Sequence, residues 1–170
     1  MKKTIFFIVF IFVAVTANAQ KFALIDMEYI LEHIPAYKQA NERLEQLSQK
    51  YQNDVDVVMQ QAQSLYTEYQ SKVASFSEEQ RVKKEEEVIA KEKTVAELRR
   101  KYFGQEGDLF KEREKLMKPI QDDIYFVIKE IAEIEGFSLV TDRASASGII
   151  FASPRIDISS KVLTKLGYSD

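Results

Sequence analysis

From Tyr37 onward the apolar positions fall at Leu44, Leu47, Tyr51, Val55, Val58, Ala62, Leu65, Tyr69, Val73 and Phe76. The steps between Leu44 and Phe76 are all three or four residues, which places these side chains in one narrow stripe along an α-helix, the pattern of a coiled-coil seam. No Gly or Pro interrupts the stripe, and Pro35 precedes it at the favoured first-turn position. The spacing predicts a helix of about 38 residues, roughly 57 Å long at 1.5 Å per residue. Ser75-Phe76-Ser77-Glu78-Glu79-Gln80 then reads as a turn, with Ser77 and Gln80 at the capping-box spacing that starts a second helix.

In that second helix apolar residues recur every seven positions, at Val82, Ile89, Ala96, Phe103, Phe110, Met117, Ile124 and Ile131. A second register runs beside it at Val88, Val95, Tyr102, Leu109 and Leu116, and the intervening seam positions are charged (Glu85, Glu92, Arg99, Glu106, Arg113). Such a ridge suits one partner helix and is too narrow for a globular core. Two helices joined by so few residues run antiparallel. Residues 36–118 are therefore predicted to form a long helical-hairpin arm with wet outer faces. Gly104 and Gly107 fall inside the second helix on this reading, each costing about 1 kcal/mol relative to Ala. They mark a tolerated weak point or a hinge. Pro119 interrupts a periodicity that continues through Ile120, Ile124, Val127, Ile128, Ile131 and Ile134, which predicts a kink where arm becomes body.

The two ends read differently. Lys21 to Asp26 reads as a short, apolar, buried strand that ends in the potential cap Asp26, before a helical Met27-Glu28-Tyr29-Ile30-Leu31. Gly136 stops the preceding helix. Phe137 to Asp142 is a strand, Ala144 to Gly148 a turn-rich loop, and Ile149 to Ala152 a further strand paired with it as a hairpin. Asp157-Ile158-Ser159 caps a last helix from Lys161 to Leu166. Three short strands and one helix make a thin core with open edges. Residues 20–35 and 119–170 are thus expected to form an oligomerisation body that joins strands of neighbouring subunits. Its contacts are assigned to Phe22, Leu24, Ile25, Leu139, Val140, Ile149, Ile150 and Phe151. The fold class is α+β, mainly α.

Residues 1–19 form a separate segment. Lys2 and Lys3 precede an apolar run from Ile5 to Val15, and Ala17 and Ala19 satisfy the small-x-small cleavage rule. This is the signature of a secretory signal peptide cleaved after Ala19. The run is well short of the ~20 residues that span a bilayer. There is no cysteine, so an exported chain must be stabilised by burial or association. Without Lys2 and Lys3 the chain holds 22 basic and 27 acidic side chains, a balance that argues against a nucleic-acid partner.

Catalytic chemistry finds no foothold. His33 is the sole histidine, which excludes a multi-histidine metal site. The paired carboxylates (Asp54/Asp56, Glu78/Glu79, Glu85-Glu86-Glu87, Asp122/Asp123) lie among charged neighbours on helices, where a solvated face is the simpler reading. No nucleophile has a partner base, and no Gly-rich phosphate loop is present, so neither enzymatic activity nor a cofactor is expected. The middle of the arm is more informative. Residues 52–73 carry only Asp54, Asp56, Glu68 and Lys72 as charges, with five glutamines and the apolar groups Val57, Met59 and Tyr66 beside the seam. Met adapts to varied partners and Tyr presents an apolar ring with a polar tip. Val57, Met59, Tyr66, Tyr69 and Phe76 are the candidate binding residues, the alternative being that they complete packing within the hairpin.

Three stretches resemble the Skp/OmpH family of periplasmic chaperones: Phe22 to Leu31 through Pro35-Ala36-Tyr37, Leu116 to Ile124 leading into Val127 to Ala132, and Gly136 to Asp142 with Ile150 to Pro154 and Asp157 to Ser159. The resemblance implies a periplasmic homotrimer with a small β-barrel body and three hairpin arms around a cavity. It implies that unfolded outer-membrane β-barrel proteins are held there without ATP. Family members look strongly basic and reach acidic clients and lipid headgroups. Here residues 36–118 hold sixteen basic and sixteen acidic groups, so peripheral membrane contact is not carried to any residue. A second reading is a structural or adaptor coiled coil that binds one defined folded partner.

Overall fold

The structure is a computed structural model that describes residues 20–146 and 148–168. The proposed signal peptide lies outside the described residues. The chain divides into two units: Ile34–Asp122, and the residues on either side of that segment.

The first unit is the arm. Helix α2 (Pro35–Lys72) follows the short α1 (Met27–Glu32) of the other unit and runs for 38 residues without interruption, with Pro35 in its first turn. A 3₁₀ turn (Val73–Ser75) leads to α3 (Glu78–Phe103). The capping box is formed as expected. The Gln80 N–H donates to the Ser77 hydroxyl at 3.3 Å, and the Ser77 N–H donates to Gln80 Oε1 at 3.0 Å. Such a cap contributes about 1 kcal/mol. Tyr51 meets Tyr102 and Tyr69 meets Glu85, so the two helices run antiparallel. Val55, Ala62 and Val95 form the buried seam, with Val58, Leu98 and Tyr102 packed against it.

Two features of the second helix differ from the sequence expectation. The first is its register. Val88 and Val95 are buried, whereas Val82, Ile89, Phe103 and Phe110 of the seven-residue series are exposed. A single partner helix covers only one of two adjacent registers, and here it covers Val88 and Val95; the other series is buried only further along the chain, at Ile124 and Ile131. The second is continuity. The helix ends at Phe103, and α4 (Asp108–Glu135) begins after a turn spanning Gly104 to Gly107. Gly104 has extended backbone (φ −64°, ψ 169°). A Cβ on Gly107 would lie 2.8 Å from both Gly104 N and Tyr102 O. The glycines therefore sit in a break where the backbone folds back too closely for any side chain. The Tyr51 and Tyr102 rings stack beside it at 4.0 Å and 4°, with Phe103 edge-on to both. Pro119 lies within α4, which continues through it.

The second unit contains β1 (Lys21–Ile25), α1, the end of α4, β2 (Phe137–Asp142) and α5 (Ser159–Leu166). The two strands pair in parallel, with Phe22 opposite Leu139, Ala23 opposite Val140 and Ile25 opposite Asp142. Parallel strands need a long crossover, and the whole arm is inserted in it. The core consists of Ala23, Leu24, Ile25, Ile30, Ile124, Val127, Ile131, Ile158, Val162 and Leu163. The expected hairpin between 137–142 and 149–152 is absent: residues 149–152 form no strand, and β2 pairs with β1 instead. The other side of β1 receives a single bridge from Asp157 to Leu24, with the Ile158 N–H donating to Leu24 O at 2.9 Å. Ile150 and Phe151 are thereby left outside the sheet, 102% and 85% exposed.

A polar clasp joins the ends of these elements. The Asp26 carboxylate caps α1 through the Tyr29 N–H at 3.0 Å and accepts from Arg143 Nη2 at 2.6 Å. The Asp26 N–H donates to the Ser159 hydroxyl, which itself donates to Asp157 Oδ1. The Tyr29 N–H and the Arg143 guanidinium hold the Asp26 carboxyl below the usual carboxylate range. Stability from a depressed carboxyl is present above its unfolded value of about 3.9 and is lost as pH falls through the native value. Asp26→Asn is expected to lower the urea midpoint at pH 7 and to matter much less at pH 2. An equal loss at both values would show that the charge is not what stabilises the clasp.

Candidate client-binding surface

The seam of α2 turns Val55, Val58 and Ala62 toward α3. Val57 is 54% exposed, and Met59 and Tyr66 are also exposed. Met59 reaches across the hairpin, with its sulfur 3.4 Å from Arg99 Nη2. The Tyr66 hydroxyl accepts from the Gln70 amide at 2.8 Å, which leaves the ring face open. Tyr69 and Phe76 differ: both are half-buried near the tip, with rings 6.4 Å apart. The Tyr69 hydroxyl donates to Glu85, and this bond raises its pKa. The structure thus separates the five arm candidates into three open groups and two that also pack within the hairpin.

Four exposed apolar side chains of the arm were not among those candidates: Val82 and Ile89 on α3, Phe103 at its end and Phe110 on α4. Their signal was in the sequence, since two heptad registers one step apart cannot both face one helix. Near the tip, Tyr66 and Tyr69 of α2 and Val88 and Ile89 of α3 line an open groove of about 230 Å³, rimmed by Glu85 and Glu92. Lower on the arm, burial raises the pKa of Tyr51, and Asp108 adds to it. Both tyrosine hydroxyls at the stack are thus neutral at physiological pH, consistent with burial and Asp54 raising Tyr102 as well.

The body candidates also divide. Leu24 and Ile25 are buried within their own chain, Val140 and Ile149 are half-buried, and Phe22, Leu139, Ile150 and Phe151 are exposed. Tyr125, Phe126 and Ile134 of α4 join the exposed set and were missed. Ile124, Val127 and Ile131 hold the inward face of that helix, which leaves Tyr125 and Phe126 outside; Ile134 continues the inward three-and-four stripe in the sequence and is nonetheless exposed. Among the described residues no group of three or more His, Asp or Glu could hold a metal ion, and no helix is long and apolar enough to cross a membrane.

A hairpin inserted between two parallel strands, over nearly the full described length, is what the comparisons with known proteins match. The model of the family described as outer membrane protein (OmpH-like) covers residues 21–166. The chain belongs to the OmpH-like family. A crystal structure from Caulobacter crescentus CB15, described as an OmpH-like outer membrane chaperone, has the same fold. Its TM-score is 0.67 at 12% identity, over 88% of this chain and 85% of that one. No curated protein matches this OmpH-like sequence. At so low an identity the likeness carries the fold and leaves the roles of individual residues to the geometry above.

Proposed function

We propose that this OmpH-like protein is a periplasmic, ATP-independent holdase that keeps unfolded outer-membrane β-barrel proteins from aggregating. The observation that carries this reading is the apolar surface which the arm leaves uncovered along both of its helices. Val57, Met59 and Tyr66 lie on one, and Val82, Ile89 and Phe103 on the other. Spread-out single side chains do not make one tight site. They suit many weak contacts with an extended client, and several arms multiply those contacts by raising the effective concentration. Family membership and the chaperone described for the Caulobacter protein favour the same reading. Assembly into a homotrimer, with a β-barrel body built from strands of several subunits, would bring arms together around a client. The exposed Phe22, Leu139, Ile150 and Phe151 support such an assembly. Gly104, Gly107 and Pro119 are the positions at which an arm would flex to admit clients of different size.

Met59→Asp combined with Tyr66→Asp is expected to weaken protection of a denaturant-diluted β-barrel membrane protein severalfold in a light-scattering assay. The oligomer is expected to be unchanged by native mass spectrometry. Undiminished protection by the double variant would remove these residues from the client surface. A wild-type protein that protects nothing and instead binds one folded protein at fixed stoichiometry would establish the adaptor reading.

A further inference from the structure

The groove between α2 and α3 near the arm tip combines two properties that together define what it accepts. Its floor is apolar: Val88 is buried, while Ile89 stands open to solvent beside the Tyr66 and Tyr69 rings. Its rim is acidic. Glu85 lies four residues before Ile89 and Glu92 three residues after it, so both carboxylates share the Ile89 face of the helix. They lie about 10 Å apart along the axis at 1.5 Å per residue.

Three cations of the same helix are already engaged. Arg81 pairs with Glu78 at 3.2 Å, Lys84 with Glu87 at 2.7 Å, and Lys93 with Glu97 at 3.9 Å. Among the described residues neither Glu85 nor Glu92 takes part in an ion pair. Glu85 accepts only the Tyr69 hydroxyl, a neutral donor that leaves its charge uncompensated.

We infer that this groove selects basic-flanked apolar segments of unfolded clients: a large apolar side chain resting on Ile89 and the two tyrosines, with a Lys or Arg nearby on each side meeting Glu85 and Glu92. The inference rests on the chaperone reading and adds to it a client preference. An extended chain advances about 3.3 Å per residue, so cations one or two positions on either side of the apolar residue reach both carboxylates through their long side chains. Tyr66 and Tyr69 can also receive a cation over the ring face. Each exposed ion pair contributes little by itself, which fits a holdase that must release what it holds.

The test uses the whole folded protein and three short fluorescent peptides of one sequence. A central Phe is flanked on both sides by Lys, by Gln or by Glu, and binding is read by anisotropy at low ionic strength. The Lys peptide is expected to bind about two- to thirtyfold more tightly than the Gln peptide, the range two exposed ion pairs supply. The Glu peptide is expected to bind weakest, and added salt to compress the series. Glu85→Gln with Glu92→Gln is expected to erase the difference, and Glu85→Lys with Glu92→Lys to reverse it. Both pairs lie on an exposed helix face, and far-UV circular dichroism confirms that the helices persist. Ile89→Ser is expected to weaken all three peptides together. Equal binding of the three peptides, or a Lys preference that survives the Gln variants, overturns the groove assignment while protection of a β-barrel client still upholds the chaperone reading. Failure to bind any peptide together with failure to protect the client overturns both.

Discussion

Ile150→Asp combined with Phe151→Asp is expected to leave the protein monomeric, in place of the proposed trimer, while its helical content stays unchanged. Both side chains are almost fully in solvent within the single chain, so neither can contribute to that chain's own core. An exposed apolar residue is common, but two adjacent ones leave an unmet opportunity for burial, and Phe22 and its strand partner Leu139 are exposed as well. Covering them with another copy gains roughly 25 cal/mol per Å² removed from water. Replacing them with carboxylates reverses the sign, because an unpaired charge in an apolar contact costs several kcal/mol. Native mass spectrometry of the variant reads the outcome. An oligomer as abundant as the wild type's would place the subunit contact elsewhere, and Tyr125, Phe126 and Ile134 would be the next set to alter.

Leu163→Ala is expected to act in the opposite way, costing about 2–5 kcal/mol of stability as a large-to-small change in a closed core. Leu163 lies on α5 with no exposed surface, as do Val162 beside it and Ile30 on α1. The body is small, so one cavity removes a large share of its core. Urea unfolding followed by circular dichroism should show a lowered midpoint. The control is Ile89→Ala, a change of the same kind at a site 63% exposed. It is expected to cost less than about 1 kcal/mol, as surface substitutions usually do. Similar losses at both sites would mean that Ile89 is covered in the protein as it exists in solution, and the groove at the arm tip would then be closed.

Much of the arm was legible from spacing alone. The length of α2 follows from an unbroken three-and-four stripe between Pro35 and the tip. The tip follows from Ser77 and Gln80, whose mutual hydrogen bonds are local and need no tertiary partner. Local capping also placed Asp26 before α1. The register of α3 was less legible. Val82, Ile89 and Phe103 form as regular a series as Val88, Val95 and Tyr102, and only contact with α2 chooses between them. The candidate surface inherited that ambiguity, so exposed side chains were named on α2 and none on α3.

The glycines illustrate the same limit. Two glycines three positions apart lower helix propensity, but by an amount that tertiary packing can override in either direction. The close backbone approach at Gly107 and the Tyr51–Tyr102 stack turn a weak point into a break between α3 and α4.

Elements with local causes were thus legible in the sequence: the long amphipathic helices of the arm, their caps and tip, and the two strands that begin at Lys21 and Phe137. Tertiary structure alone decided the rest. It set β1 parallel to β2, left 149–152 unpaired, and chose which heptad register of α3 met α2. Strand partners and helix faces are selected by groups distant in the chain, and a hydrophobic pattern records that a face must be buried without recording against what.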